Sequence, residues 1–249
     1  MHEIVDLETG RAARGVRIVV AALLPSPWTE AAKGVLHLGG IDTKWVRFTR
    51  DPALGSWTHT HNTPVVMHDD DAPRTSSADI VTLAARLSRV TLVPSAAEDR
   101  ARHFGWIHEL AGEDGLGWCA RLWMMDAGLT SEGQSGFSVP VARYLAPKYG
   151  YAEGRLAHAR ERIMDILGMF ERVLGEKEYV AGDAPMAIDV YLATFLAMLV
   201  GVSEQECPAM RPELRAAFDT IRGELAVPSS LVAHRRRMYE RHLPMPIPL

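Results

Sequence analysis

The chain is 249 residues long, 47% hydrophobic and 23% charged, with a formal net charge of −4 and no apolar run long enough to span a bilayer. That length buries a sizeable core in one large domain or two modest ones, and the charge balance leaves no electrostatic footprint for nucleic acid. Two cysteines without CxxC or metal-ligand spacing, and a start "MHEIVDLETGRAARG" without a basic then apolar leader, lead us to expect a cytoplasmic protein with no metal and neither nucleic acid nor membrane as partner.

The first ninety residues alternate between strand and helix signals. "VRIVVAAL", residues 16–23, is a β-branched apolar run between Gly15 and Pro25, which predicts a buried strand. Next, Trp28, Ala31, Ala32, Val35, Leu36 and Leu38 fall near the 3.6 period, and Gly39-Gly40 stops that helix. "TKWVRF" is the second strand and "TPVVMHD" the third, which begins at a proline. "SADIVTLAARLS", residues 77–88, reads as an amphipathic helix with Ile80, Val81, Leu83, Ala84 and Leu87 inward. The order is βαβ, then strand, then helix, a small α/β unit over residues 16–90. "TLVPSAAED" marks a linker at 91–95, and helical periodicity fills 96–240, with helices expected at about 96–127, 138–146, 154–176, 187–202 and 211–226. The basic stretch "HRRRMYERH" reads as a solvated helix end stopped by the prolines that follow, in preference to a phosphate site.

Three positions carry chemistry only in combination. Ser26, in "LLPSPWTEAAKGVLHLGGI", stands directly before Pro27 at a helix start, where Ser at the N-cap and Pro at N1 are common. No His or Asp is near in sequence to act as its base, so a hydrolase triad is not supported, whereas a hydroxyl that donates to a bound thiolate needs no base. Thr63-Pro64 opens a strand, which suggests a forced turn with a cis peptide that presents the Thr63 backbone to an extended ligand; a plain strand-start proline is the simpler reading. Ser76 and Ser77 precede a helix whose N-terminal N–H groups suit a carboxylate, although one of them is also a natural N-cap. His59, His61 and His68 with Asp69 to Asp71 fit no tight metal-ligand set.

Taken together, the βαβ start, "SPW", "NTPVV", "SSADI" and the later "EKEYVAGDAPMAIDVYLATFLAML" resemble the glutathione S-transferase family over residues 16–226. The resemblance implies an α/β thioredoxin-like N-terminal domain that binds glutathione and an all-α C-terminal domain that shapes the second-substrate pocket. It implies that Ser26 is the catalytic residue of a Ser-type enzyme, with Asn62, Thr63, Pro64, Ser76 and Ser77 around glutathione and Trp28 and Trp106 at the second substrate. It further implies a homodimer that transfers an electrophilic, largely apolar small molecule to glutathione, with ether-cleaving lyase chemistry or a non-catalytic ligand-binding role as the alternatives. Two departures stand out. Ser76 replaces the family's Glu, removing a charge-assisted bond of roughly 1.5 to 3 kcal/mol. Met186 replaces the family's Ser or Thr three residues before Asp189, so only Asp189 is expected to bond back, with a loss of roughly 1 kcal/mol.

Overall fold

The computed structural model describes residues 2–21 and 23–249. The chain runs β1 (His2–Val5), α1 (Leu7–Ala12), β2 (Val16–Val20), α2 (Pro27–Leu38), β3 (Thr43–Arg47), α3 (Pro52–Thr58), β4 (Val65–His68) and α4 (Ser77–Leu87). There follow α5 (Ala97–Ala111), α6 (Leu116–Thr130), α7 (Val139–Tyr149), α8 (Arg155–Leu174), α9 (Ala187–Phe195), α10 (Ala197–Val200), α11 (Pro212–Phe218) and α12 (Ser229–Arg241).

The strands form one sheet in the order β1-β3-β2-β4. β2 is buried along its whole length, as expected of a continuous β-branched run in the middle of a sheet. It pairs parallel with β3, Ile18 opposite Trp45, and antiparallel with β4, Ile18 opposite Val66. One face packs under α2 and α4 through residues such as Ile18, Val35, Leu36, Ile80 and Leu83; Val19, Val46, Leu54, Val65 and Met67 fill the other face beneath α1 and α3. The expected strand over 16–23 ends at Val20, and its residue 22 lies outside the described residues.

Three short elements were not expected. β1 adds an edge strand parallel to β3; its residues are largely exposed and carry too little alternation to signal a strand. α1 is capped by Asp6, and α3 by Asp51, whose carboxylate accepts from Ala53 N at 2.8 Å.

The helical region differs from expectation wherever the backbone has a local reason to stop. The single run over about 96–127 is two helices, α5 and α6, split at Gly112 to Gly115; a Cβ at Gly115 would stand 2.7 Å from the Glu109 carbonyl oxygen. The run over 187–202 breaks between α9 and α10, just after Thr194 turns its hydroxyl back to the Val190 carbonyl at 2.9 Å. The last of the five expected helices shortens to α11, and the basic cluster lies on α12. That cluster is not merely solvated: Arg235 pairs with Glu206, and Arg237 and Arg241 approach Glu178.

The sheet layer and the helical layer meet along α2 and α9. Gly34 permits the close approach, since a Cβ there would lie 2.6 Å from Val190 Cγ1. The terminal segment after α12 returns across the same face, where buried Lys33 donates to Glu30 Oε1 at 2.7 Å and to the Pro248 carbonyl at 2.6 Å. Asp189 enters α9 as expected: Oδ2 accepts from Met186 N at 2.9 Å and Oδ1 from Val180 N at 2.8 Å, while the Met186 side chain returns no bond. No helix among the described residues is long and apolar enough to cross a membrane.

Candidate functional site

A cleft of about 900 Å³ lies between the sheet layer and the helices, lined on one side by the β2–α2 turn, the loop before β4 and Thr75, and on the other by α6, α7 and α11. Ser26, Trp28, Asn62 and Thr63, far apart in sequence, all line it.

Ser26 occupies the N-cap position of α2, with Pro27 at N1, yet its side chain makes no capping bond. The backbone holds the turn instead: Ser26 N donates to the Leu24 carbonyl and the Ser26 carbonyl accepts from Glu30 N, both at 2.8 Å. A buried residue with its hydroxyl unused by the cap, at the positive end of a helix and on the cleft wall, is placed to donate to an anion.

The Thr63–Pro64 peptide is cis, as expected. β4 begins at Val65, so Thr63 stands outside the ladder and faces the cleft while Pro64 is buried behind it. Asn62 is exposed and accepts at Oδ1 from Lys148 Nζ at 2.8 Å, a bond that spans the cleft from α7.

The serine pair separates. Ser76 is the N-cap of α4: its Oγ accepts from Asp79 N at 3.1 Å and donates to Asp79 Oδ2 at 2.6 Å. Ser77 is half-buried beside Tyr191, and Thr75 takes the cleft-lining place that the sequence reading assigned to the pair.

The tryptophans also separate. Trp28 lines the cleft, its Nε1 bonded to the Ala111 carbonyl at 2.8 Å and its ring edge-on to Phe195 at 5.0 Å. Gly117 makes room for both, since a Cβ there would stand 2.5 Å from Phe195 and 2.9 Å from Trp28. Trp106 does not line the cleft. It precedes Ala111, which does, by five residues, or about 140° around the helix. Trp118 lines the cleft, with its Nε1 on the Tyr149 carbonyl at 3.0 Å and its ring 4.7 Å from that of Tyr149.

The sequence reading missed the cations of the helical wall. Arg121 is 5% exposed, its guanidinium 5.8 Å from the Trp28 ring and 5.2 Å from the Phe137 ring. Its Nε has no hydrogen-bond partner, and burial pushes its pKa down. Burial, and then the charge of Arg121, push that of Lys148 down as well. The only signal in the sequence was Arg121 as the lone charge in "LGWCARLWMM". Among the described residues no group of three or more His, Cys, Asp or Glu is placed to hold a metal ion.

A four-stranded sheet with helices on both faces, joined to a helical layer across a cleft, defines a thioredoxin-like unit fused to a helical domain. Solved structures place it more closely: the chain has the glutathione S-transferase fold. It is similar to a possible glutathione S-transferase from Rhodopseudomonas palustris, with a TM-score of 0.64 at 16% identity over 94% of this chain and 98% of that one. It is similar also to a glutathione S-transferase from Methylobacterium radiotolerans in complex with glutathione sulfonate, with a TM-score of 0.58 at 16% identity over 91% of each chain. A Tau class enzyme from mango gives 0.60 at 19% identity, over 94% of this chain and 93% of that one. Residues 153–223, from just before α8 to just past α11, match the family model described as glutathione S-transferase, C-terminal domain. No curated protein matches the chain.

Proposed function

We propose that the protein is a Ser-type glutathione transferase. The thioredoxin-like domain, residues 16–90, holds glutathione along Ser26, Asn62, Thr63 and the start of α4, and the helical domain, 96–240, shapes the second-substrate pocket. The observation that carries this reading is Ser26: its hydroxyl is at a helix N-terminus, on the wall of a large cleft, and makes no capping bond.

The chemistry follows from that placement. A free thiol has a pKa near 8.5, so only a few per cent is ionised at neutral pH. A hydroxyl donated to the sulfur, beside the N–H groups of the α2 N-terminus, favours the thiolate. The thiolate attacks an electrophilic carbon of a largely apolar acceptor; the C–S bond forms, and the bond to the leaving group breaks with its electron pair. With an aryl or benzylic ether the same attack expels an alkoxide, which is lyase-type cleavage. A serine forms no mixed disulfide, so reduction by thiol exchange is disfavoured. The family resemblance supports a cytoplasmic homodimer with a role in detoxification.

One observation favours the alternative, a ligand-binding or interaction protein without turnover. Ser76 stands where the family has Glu, and its hydroxyl is engaged with Asp79, so the ammonium of the γ-glutamyl group lacks that carboxylate. Calorimetric titration with glutathione, followed by conjugation assays across pH, tests both readings. Saturable binding with turnover supports the enzyme. Binding without turnover, or no binding at all, removes the enzyme and leaves the alternative.

A further inference from the structure

The cleft carries a charge that the proposed chemistry does not use. Arg121 projects from α6 on the helical wall, opposite the segment proposed for glutathione, and is nearly fully buried. No carboxylate lies at the helix neighbours three or four residues away, which are Gly117, Trp118, Met124 and Met125. Its Nε is buried without a hydrogen-bond partner, its guanidinium lies against the rings of Trp28 and Phe137, and the polar groups near it are the neutral Tyr149 hydroxyl and the like charge of Lys148. Neither of its Nη atoms is sealed off in that way, and the residue borders the cleft. A buried guanidinium without an anionic partner is destabilising, and contact with ring faces offsets only part of the desolvation. A neutral side chain of the same length would fill the space without that penalty. The charge is explained when an anion enters from the cleft.

We infer that Arg121 is a specificity-determining residue which receives the carboxylate of an aromatic second substrate, whose ring lies among Trp28, Trp118, Phe137 and Tyr149. This rests on the reading of the cleft as the acceptor pocket of a transferase. It also narrows that reading, from a largely apolar electrophile to one with an apolar ring and an anionic end. The geometry of the group fits: a guanidinium fork takes a carboxylate bidentately, and flat rings on either side admit a planar body. Lys148, at the rim and bonded to Asn62, adds a second positive charge on the same wall. Glu213 is the acidic residue that borders the cleft.

The test compares 4-nitrobenzoate with its neutral methyl ester, by quenching of tryptophan fluorescence, on the full chain and on Arg121→Gln and Arg121→Lys. The wild-type protein should bind the acid about tenfold more tightly than the ester or better, as expected of a charge-assisted contact in a shielded site. Arg121→Gln should bring the acid-to-ester ratio close to one, and Arg121→Lys should keep an intermediate ratio. A wild-type ratio near one overturns the inference even if the Gln variant fails to fold. So does a ratio that Arg121→Gln leaves unchanged, or a loss in that variant of affinity for glutathione instead of the acid. A parallel glutathione titration separates the two claims. Glutathione binding with a ratio near one leaves the transferase reading standing without the anion pocket. An Arg121-dependent preference for the acid without glutathione binding leaves the anion pocket standing without the transferase reading.

Discussion

The two walls of the cleft are built in different ways. The sheet-side wall is made of turns, in which Ser26, Thr63 and Thr75 each sit next to a strand or a helix N-terminus and are positioned by backbone that neighbouring residues fix. The helical wall is made of side chains: Trp118 and Arg121 on α6, Phe137 in the following loop, and Lys148 and Tyr149 on α7, held by tertiary contacts. Local chemistry therefore governs the first wall and packing governs the second. Substitutions on the first should alter chemistry with little change in stability, and substitutions beneath the second should do the reverse.

The largest effect is expected at Asp189, under the helical wall. Its carboxylate is fully buried and accepts from the backbone N–H of Val180 and Met186; it opens α9, whose Phe195 supports Trp28. Asp189→Ala leaves two N–H groups without their acceptor, at about 1–3 kcal/mol each. The expected loss of about 3 kcal/mol or more is read from denaturant midpoints at unchanged slope. A loss below about 1 kcal/mol would show that the helical wall does not depend on this junction.

Next in size is a pH effect at His103 on α5. The ring is fully buried, neither nitrogen has a hydrogen-bond partner, and burial lowers its pKa from 6.5 to about 4. The folded state thus binds fewer protons than the unfolded state between those values, so stability falls as pH drops from about 6.5 towards 4. The full effect of this one group is about 3 kcal/mol. His103→Leu should flatten that part of the stability profile, and equal slopes for the two proteins would assign the acid sensitivity elsewhere.

Ser26→Ala tests the sheet-side wall. Because the hydroxyl makes no capping bond, the substitution should leave the melting temperature nearly unchanged instead of lowering stability as loss of a working cap does. Conjugation at pH 7 should fall about tenfold or more and recover partly as pH rises, each unit of thiol pKa being worth about 1.4 kcal/mol. Identical pH profiles for the two proteins would remove Ser26 from the chemistry.

The same contrast explains what was legible in the sequence. The central strands, α2 and α4 followed from short motifs in which turn residues flank apolar runs, and the family resemblance placed Ser26 and Thr63, which both line the cleft, at one site. β1 was not legible, because an exposed edge strand of four residues has no buried face to write a pattern. The sequence reading put Trp106 ahead of Trp118, but both are apolar residues on helices and only the angle of each helix to the cleft separates them. Arg121 was visible as a lone charge in an apolar run, but its lack of a carboxylate is a property of the packed molecule. The helical wall is thus invisible for the reason that makes it specific: it is assembled from distant segments.

The smallest effect concerns the two serines at the start of α4, where the sheet-side wall combines both behaviours. Ser76 Oγ accepts from Asp79 N and donates to Asp79 Oδ2, so its bonds are local and capping. Ser77 is the first residue of that helix and is less exposed, beside Tyr191. If glutathione lies across this helix start, its γ-glutamyl carboxylate meets the N–H groups there, and the Ser77 hydroxyl, bonded to the Tyr191 side chain and not to the cap, is the nearer of the two to offer a further bond. Ser76→Ala should then lower stability by about 1 kcal/mol and change glutathione affinity less than about threefold. Ser77→Ala should weaken glutathione by about threefold to tenfold, as loss of one hydrogen bond to a charged group in a partly open site allows, and should lower stability by about 1 kcal/mol as well, because the buried Tyr191 hydroxyl loses its partner. Paired thermal melts and glutathione titrations on the two variants decide it. A reversed pattern would place the ligand on Ser76 and require the Asp79 bond to break on binding, and equal small effects on affinity would move the γ-glutamyl group away from this helix.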